Sequence, residues 1–146
     1  MNLRPPFYIY RKVRIVRLID GDTVVVDLEI DVGFGTKITT RETVRIAGLN
    51  APEVVGASRD AGLAAKAWLA DALAREGGSL RMLSAQRDKY GRRLAVFMTS
   101  IVLPLRSGDL EVYLDDEFAG LWAQTINAEM VRSGRAVEYW GEGPKT

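Results

Sequence analysis

The 146-residue chain contains no cysteine and no histidine. Without cysteine there are neither disulfides nor thiolate metal sites, and the redox compartment is left open. Without histidine the usual neutral-pH general base and the commonest transition-metal ligand are both gone. Any catalysis must then run on carboxylates, arginines, lysines or a hard cation held by oxygens. Long apolar runs are also missing: nothing approaches the ~20 residues that a membrane-crossing helix needs. The segment from Met1 to Val13, with Arg4, Pro5, Pro6, Arg11 and Lys12, lacks the apolar stretch of a secretory signal, so a cytoplasmic location is expected. Net charge is scarce too, at +1, which is not the balance of a generic polyanion binder.

What is present suits one globular unit. The chain is 47% hydrophobic and has the length of an ordinary domain, so a single domain over 1–146 with a real core is expected. Its charges are uneven. Arg4, Arg11, Lys12, Arg14 and Arg17 precede the first acid, and Arg81, Arg87, Lys89, Arg92 and Arg93 surround only Asp88. An acidic run follows at Asp109, Glu111, Asp115, Asp116 and Glu117. Each run by itself is an ordinary solvated face.

Along the chain, Val- and Ile-rich segments from Lys12 to Ile30 are broken once by Asp20-Gly21-Asp22, which is turn chemistry between two strands. Gly33-Phe34-Gly35 interrupts the pattern before a third strand from Lys37 to Leu49, and three strands in under 50 residues suggest a meander with an extended hairpin. Asp60 to Glu76 is alanine- and leucine-rich, with Leu69 and Leu73 one turn apart and Gly77-Gly78 behind it. That is a helix, with Ser58 or Asp60 as its cap. Leu80 to Leu83 and Arg93 to Leu105 read as strands, and Leu110 to Leu114 as an added strand pairing with the preceding one. A last helix includes Ile126, Met130 and Val131, with Thr125 as candidate cap and Gly134 as terminator; it could begin as early as Phe118. This order gives an α+β, mainly β fold: a five-stranded OB-type barrel with two or three helices.

Three polar clusters stand where apolar strands end, where side chains can be exposed without disturbing a core. Asp20-Gly21-Asp22-Thr23 brings carboxylates to a turn. In Val44-Arg45-Ile46 the arginine points opposite to its apolar neighbours in an extended strand. Asn50, the Ala51 carbonyl and Glu53 around Pro52 then offer oxygens for a hard cation. The third cluster is Asp88-Lys89-Tyr90-Gly91-Arg92-Arg93. Taken singly, the three are an Asp-Gly turn, an exposed strand arginine beside an Asn-Ala-Pro turn, and a charged turn.

Taken together and in order, Asp20-Gly21-Asp22-Thr23, then Arg45 with Pro52-Glu53, then Asp88-Lys89-Tyr90-Gly91-Arg92 resemble the staphylococcal nuclease (thermonuclease) family. Ile126 to Gly134, with Asn127, is similar to the family's late helix, so the likeness runs over about residues 12 to 140. The resemblance implies an OB-type barrel and calcium-dependent hydrolysis of phosphodiester bonds in DNA or RNA by a monomer. It makes Asp22, Asn50 and the Ala51 carbonyl calcium ligands, and Arg45, Glu53 and Arg92 the catalytic group. Lys89, Tyr90, Tyr139 and Trp140 would contact the substrate. Two departures stand out. The best-known members carry an aspartate where this chain has Asn50, which removes one negative charge from the cation's ligands. The span from Asp22 to Arg45 is also longer than in the short members. The competing expectation is a catalytically silent barrel that binds nucleic acid or protein, which Asn50 favours and the joint presence of Asp22, Arg45, Glu53 and Arg92 disfavours.

Overall fold

The computed structural model describes residues 7–99, 111–112 and 122–141. Among these the protein is mainly β, with strands β1 (Phe7–Tyr10), β2 (Lys12–Asp20), β3 (Thr23–Gly33), β4 (Thr36–Ile46), β5 (Leu49–Asn50), β6 (Leu80–Arg87), β7 (Arg93–Thr99), β8 (Glu111–Val112) and β9 (Val137–Glu138). Two α-helices, α1 (Arg59–Glu76) and α2 (Ile126–Arg132), accompany them.

The expected meander is present: β2, β3 and β4 are consecutive antiparallel neighbours, turned by Asp20 to Thr23 and by Gly33 to Thr36. β4 then pairs in parallel with β7, β7 with β6, β6 with β1, and β1 with β8, giving a seven-stranded sheet. Seven segments stand where five strands were expected, for two reasons. An unexpected strand, β1, precedes the expected start at Lys12 and pairs with β6 while β2 pairs with β3, and β8, within the expected added strand, is the other addition to the five. The described part of the added strand, Glu111–Val112, joins β1 rather than its predecessor in the sequence. Strand β4 ends at Ile46, three residues before the expected Leu49, because the chain turns at Ala47-Gly48 and Leu49–Asn50 pairs with β9 instead. The expected strand continuation from residue 100 to Leu105 and the early helix start at Phe118 lie outside the described residues.

The core explains the pattern. Val24, Val26 and Leu28 of β3 share one buried cluster with Val44 and Ile46 of β4, and α1 joins it with Ala65, Leu69, Ala72 and Leu73, an i, i+4, i+7, i+8 stripe. Phe97 and Met130 complete the same cluster. Burying each large side chain contributes about 1.5–3 kcal/mol. The first six residues of β3 are buried and its last three exposed, so the β3–β4 hairpin leaves the body as an arm with Phe34 fully exposed at its tip. α2 is capped as expected: the Thr125 hydroxyl accepts the Ala128 N–H at 3.1 Å, and Gly134 follows the helix in the left-handed region. Ser58 stands before α1, but its hydroxyl donates to the Glu53 carbonyl at 3.3 Å and does not cap.

Candidate functional site

Turns and strand ends gather the polar clusters at one end of the β2, β3 and β4 strands. The β2–β3 turn places Asp20, Asp22 and Thr23 beside Arg45 at the end of β4, since Thr23 and Arg45 are directly opposed across the ladder. The chain after β5 brings Asn50 to Glu53 over the same spot, held because the Ala51 N–H donates to Asp22 Oδ2 at 3.0 Å. The loop carrying Glu53 rests on α1 through Gly62, where a Cβ would come within 2.0 Å of the Glu53 carbonyl oxygen, so only glycine lets the helix approach so closely. Together these residues, with Ser58, Arg92 and the Gly134–Val137 segment, line a cleft of about 550 Å³.

Arg45 is not the exposed arginine that strand alternation suggests. It is 7% exposed and folds onto its own loop. Nη1 donates to the Ile46 carbonyl at 2.9 Å and the Asp22 carbonyl at 3.4 Å, and Nη2 to the Leu49 carbonyl at 2.9 Å and Asn50 Oδ1 at 2.8 Å. Its charge is answered by Asp22 Oδ2 at 3.5 Å. The guanidinium therefore clasps residues 46–50, and the Asn50 oxygen expected to face a cation accepts an arginine proton.

Arg92 is arranged differently. Its Nε donates to Asp88 Oδ2 at 2.8 Å, and Asp88 Oδ1 accepts the N–H groups of Tyr90 and Arg92, each at 2.9 Å. Burial pushes the Asp88 carboxyl up, but those backbone N–H bonds and the Arg92 guanidinium outweigh it and hold it below its ordinary range. Anchored through Nε, Arg92 makes no hydrogen bond from its two terminal nitrogens to this carboxylate. Asp88, quoted in the motif but given no role from sequence, is thus the residue that positions Arg92.

Asp20, also without an assigned role from sequence, lines the cleft. Burial, then its hydrogen bond and charge interaction with Asp22, push its carboxyl up to about 6. Two carboxylates crowded in this way form a setting that a divalent cation would relieve. No cluster of three or more acidic, histidine or cysteine side chains occurs among the described residues, so any cation here would complete its shell with amide, carbonyl or water oxygens. That donor set suits calcium better than a transition metal.

Four residues expected at the substrate lie off the cleft lining. Tyr90 is exposed, with Lys89 Nζ at 5.2 Å and the Arg92 guanidinium at 5.3 Å from its ring centre, so its ring adjoins the cleft through Arg92. The Tyr139 N–H donates to the Gly48 carbonyl at 2.9 Å. Trp140 packs with Trp122, ring centres 4.9 Å apart, over the face that Gly48 leaves open. Its indole N–H donates to Glu138 at 2.9 Å. Trp140 thus packs against the 46–50 turn beside Trp122. Arg135, in the segment after α2, lines the cleft without having been anticipated; a basic residue directly behind a helix terminator was its only signal.

Behind the site, Asn127 is buried and bridges three elements. Its Oδ1 accepts the Phe97 N–H at 3.0 Å, and its Nδ2 donates to the carbonyls of Ala47 at 2.9 Å and Ala95 at 3.1 Å. The asparagine of the late helix is therefore a structural tie from α2 to β7 and the 46–50 turn.

A mainly β protein with an oxygen-rich, arginine-bordered cleft at its strand ends is the class that fold and site define. The family model for staphylococcal nuclease homologues matches residues 43–146, and the chain belongs to that family. Asp20 and Asp22 precede the matched region and join its residues through the β2–β3 turn. A comparison with individual curated proteins gives no match.

Proposed function

We propose that the protein is a calcium-dependent nuclease that hydrolyses phosphodiester bonds of DNA or RNA, acting as one domain over 1–146 whose sheet wraps as an OB-type barrel. The wrap is supported by β1 and β2, which a single residue separates although they pair with β6 and β3 respectively, and by further contact between β2 and β6. The observation that carries the activity is the meeting of Asp22, Glu53 and Arg92 in one cleft, with the Arg92 guanidinium anchored to Asp88 through Nε.

In this reading Asp22 and Asp20, with the oxygens of Asn50 and Ala51, would hold the cation. Bound calcium would supply Lewis-acid polarisation of a non-bridging phosphate oxygen. Glu53, exposed at the rim, orients the attacking water and takes its proton. Arg92 offers its two terminal nitrogens as a planar fork to the phosphate, meeting the charge that builds on phosphorus. Arg45 adds buried positive charge beneath the phosphate and keeps the ligand loop in place. Tyr90 and Lys89 meet the nucleotide beside Arg92.

The second reading is a silent binding module. It is favoured by Asn50, which lacks the aspartate's charge and whose oxygen is occupied by Arg45. Incubating single-stranded DNA with the protein in calcium or in chelator separates the two, with Glu53→Gln as control. Cleavage in calcium alone, lost in the variant while its thermal unfolding is unchanged, is the expected result. Equal cleavage by parent and variant would remove Glu53 from the mechanism, and binding without cleavage would favour the silent module.

A further inference from the structure

The outer face of β2–β3–β4 carries more positive charge than the cleft chemistry uses. Asp27 lies between Arg14 and Arg41, and Glu29 between Lys12 and Lys37, so these two acids each meet two cations from the flanking strands, while Asp31, further along β3, accepts the Gly33 N–H. Arg17, exposed on the same strand as Lys12 and Arg14, has no carboxylate partner among the described residues. Lys12, Arg14 and Arg17 thus form an exposed row along β2 that leads to Asp20 at the cleft.

The far end of this row is a second concavity. A cleft of about 420 Å³ is lined by Arg11, Lys12 and Arg14, by Gly77 and Gly78, and by the acids Asp27 and Glu29, which are already paired with cations of β2 and β4. At its edge Arg81 donates from Nη1 to the carbonyls of Arg11, Gly78 and Leu80, at 3.0, 3.2 and 3.2 Å. Neither Arg11 nor Arg81 meets a carboxylate among the described residues, and the buried Nε–H of each has no hydrogen-bond partner there. Burial and the neighbouring charge of Arg11 also hold the Arg81 guanidinium below its ordinary range. Two arginines with no carboxylate partner among the described residues, at a concavity whose two acids are each held by two other cations, form a seat for an anion.

We propose that the Lys12–Arg14–Arg17 row and the Arg11–Arg81 seat together form a track for the phosphate backbone of a single-stranded nucleic acid whose other end lies in the cleft. The inference rests on the nuclease reading for the cleft end and extends it to a preference for long substrates. From Asp20 back to Arg11 is nine residues, about 30 Å at most at ~3.3 Å per strand residue. At ~3.4 Å per stacked nucleotide, that distance accommodates up to about nine nucleotides.

The test uses the full chain and an Arg11→Gln/Arg17→Gln double variant, which leaves the Arg11 carbonyl and every residue lining the Asp22–Glu53–Arg92 cleft untouched. Binding of a trinucleotide and of a single strand of roughly fifteen nucleotides is measured in chelator, where calcium-dependent cleavage cannot intervene, across a range of salt. For the long strand the variant's plot of log affinity against log salt should be shallower by about 1.4, about 0.7 per lost phosphate contact, while trinucleotide binding is unchanged. An unchanged slope, or equal losses on both ligands, overturns the track. So does a variant that keeps its oligonucleotide affinity but loses binding to anionic phospholipid vesicles, which would assign the face to a membrane surface. Cleavage in calcium separates this proposal from the one beneath it. Length-dependent binding with no cleavage of either ligand sustains the track and ends the nuclease reading; cleavage with the same KM for both lengths does the reverse.

Discussion

The end of β4 and the 88–93 turn each bring one arginine to the same cleft, and they use it in opposite ways. Arg45 is buried and spends both terminal nitrogens on four acceptors of its own neighbourhood, three of them backbone carbonyls. Arg92 is partly exposed and anchored by one nitrogen to one carboxylate. The first arrangement makes the side chain part of the fold, whereas the second aims a fork of donors from a fixed point. Family membership covers both positions equally, so only geometry distinguishes their work.

Arg45→Ala should give the largest effect. It strands buried carbonyls and leaves Asp22 without its counter-charge, costing about 3–5 kcal/mol of stability. Denaturant unfolding checks this, and a loss under ~1 kcal/mol would return Arg45 to the role of a free phosphate ligand. Arg92→Lys should do the opposite, lowering kcat by roughly 100- to 1000-fold, the value of one transition-state donor, with little change in the unfolding midpoint. Full activity in that variant would argue against a planar clamp.

Smaller effects sharpen the contrast. Asn50→Asp adds a negative charge both to the cation's surroundings and to the acceptor of Arg45, so the calcium concentration for half-maximal cleavage should fall. An unchanged half-saturation point would place residue 50 wholly in the Arg45 clasp. A third arginine cluster tests the same idea away from the cleft. Hydrogen bonds from Arg41 and then Arg14 outweigh burial and hold the Asp27 carboxyl down to about 2, against an ordinary 3.8. A depressed carboxyl stabilises the fold above its ordinary value, and that stabilisation is lost as pH falls toward 2. The melting temperature of Asp27→Asn should therefore lie below the parent's at neutral pH, and the gap should close between about pH 4 and pH 2. A gap that persists at pH 2 would show that packing, not ionisation, is what Asp27 contributes.

The meander, α1 and the capped start of α2 were legible because each follows a local rule: alternation, a repeat of apolar residues on one helix face, a threonine before the first turn. The gathering of Asp22, Arg45, Glu53 and Arg92 was legible through motif order. Arg45's inward fold was not, because strand alternation says which face a side chain leaves from but not that a long one bends back to the carbonyls of the next turn. Asp88 and Asp20 were passed over for a related reason, since their parts depend on hydrogen bonds and burial that spacing does not encode. Strand β1 escaped notice because its partners, β6 and β8, lie far along the chain. Phe34 stands between two glycines as the middle of a turn, and nothing local indicates that the arm leaves the body and exposes it.

The break at Arg11 between β1 and β2 has a bearing on the order of assembly. β2, β3 and β4 pair with immediate neighbours and close by short turns, whereas Tyr8 must find Ser84 across most of the chain. Closing so large a loop is slow, so the meander should form early and the docking of β1 on β6 late. The paired arginines, one at the strand break and the other on β6, are brought together only by that last step. Contacts absent from the folding transition state act on unfolding rather than on folding. A phosphate polymer lodged between Arg11 and Arg81 would therefore lengthen the lifetime of the native state while leaving its rate of formation almost untouched.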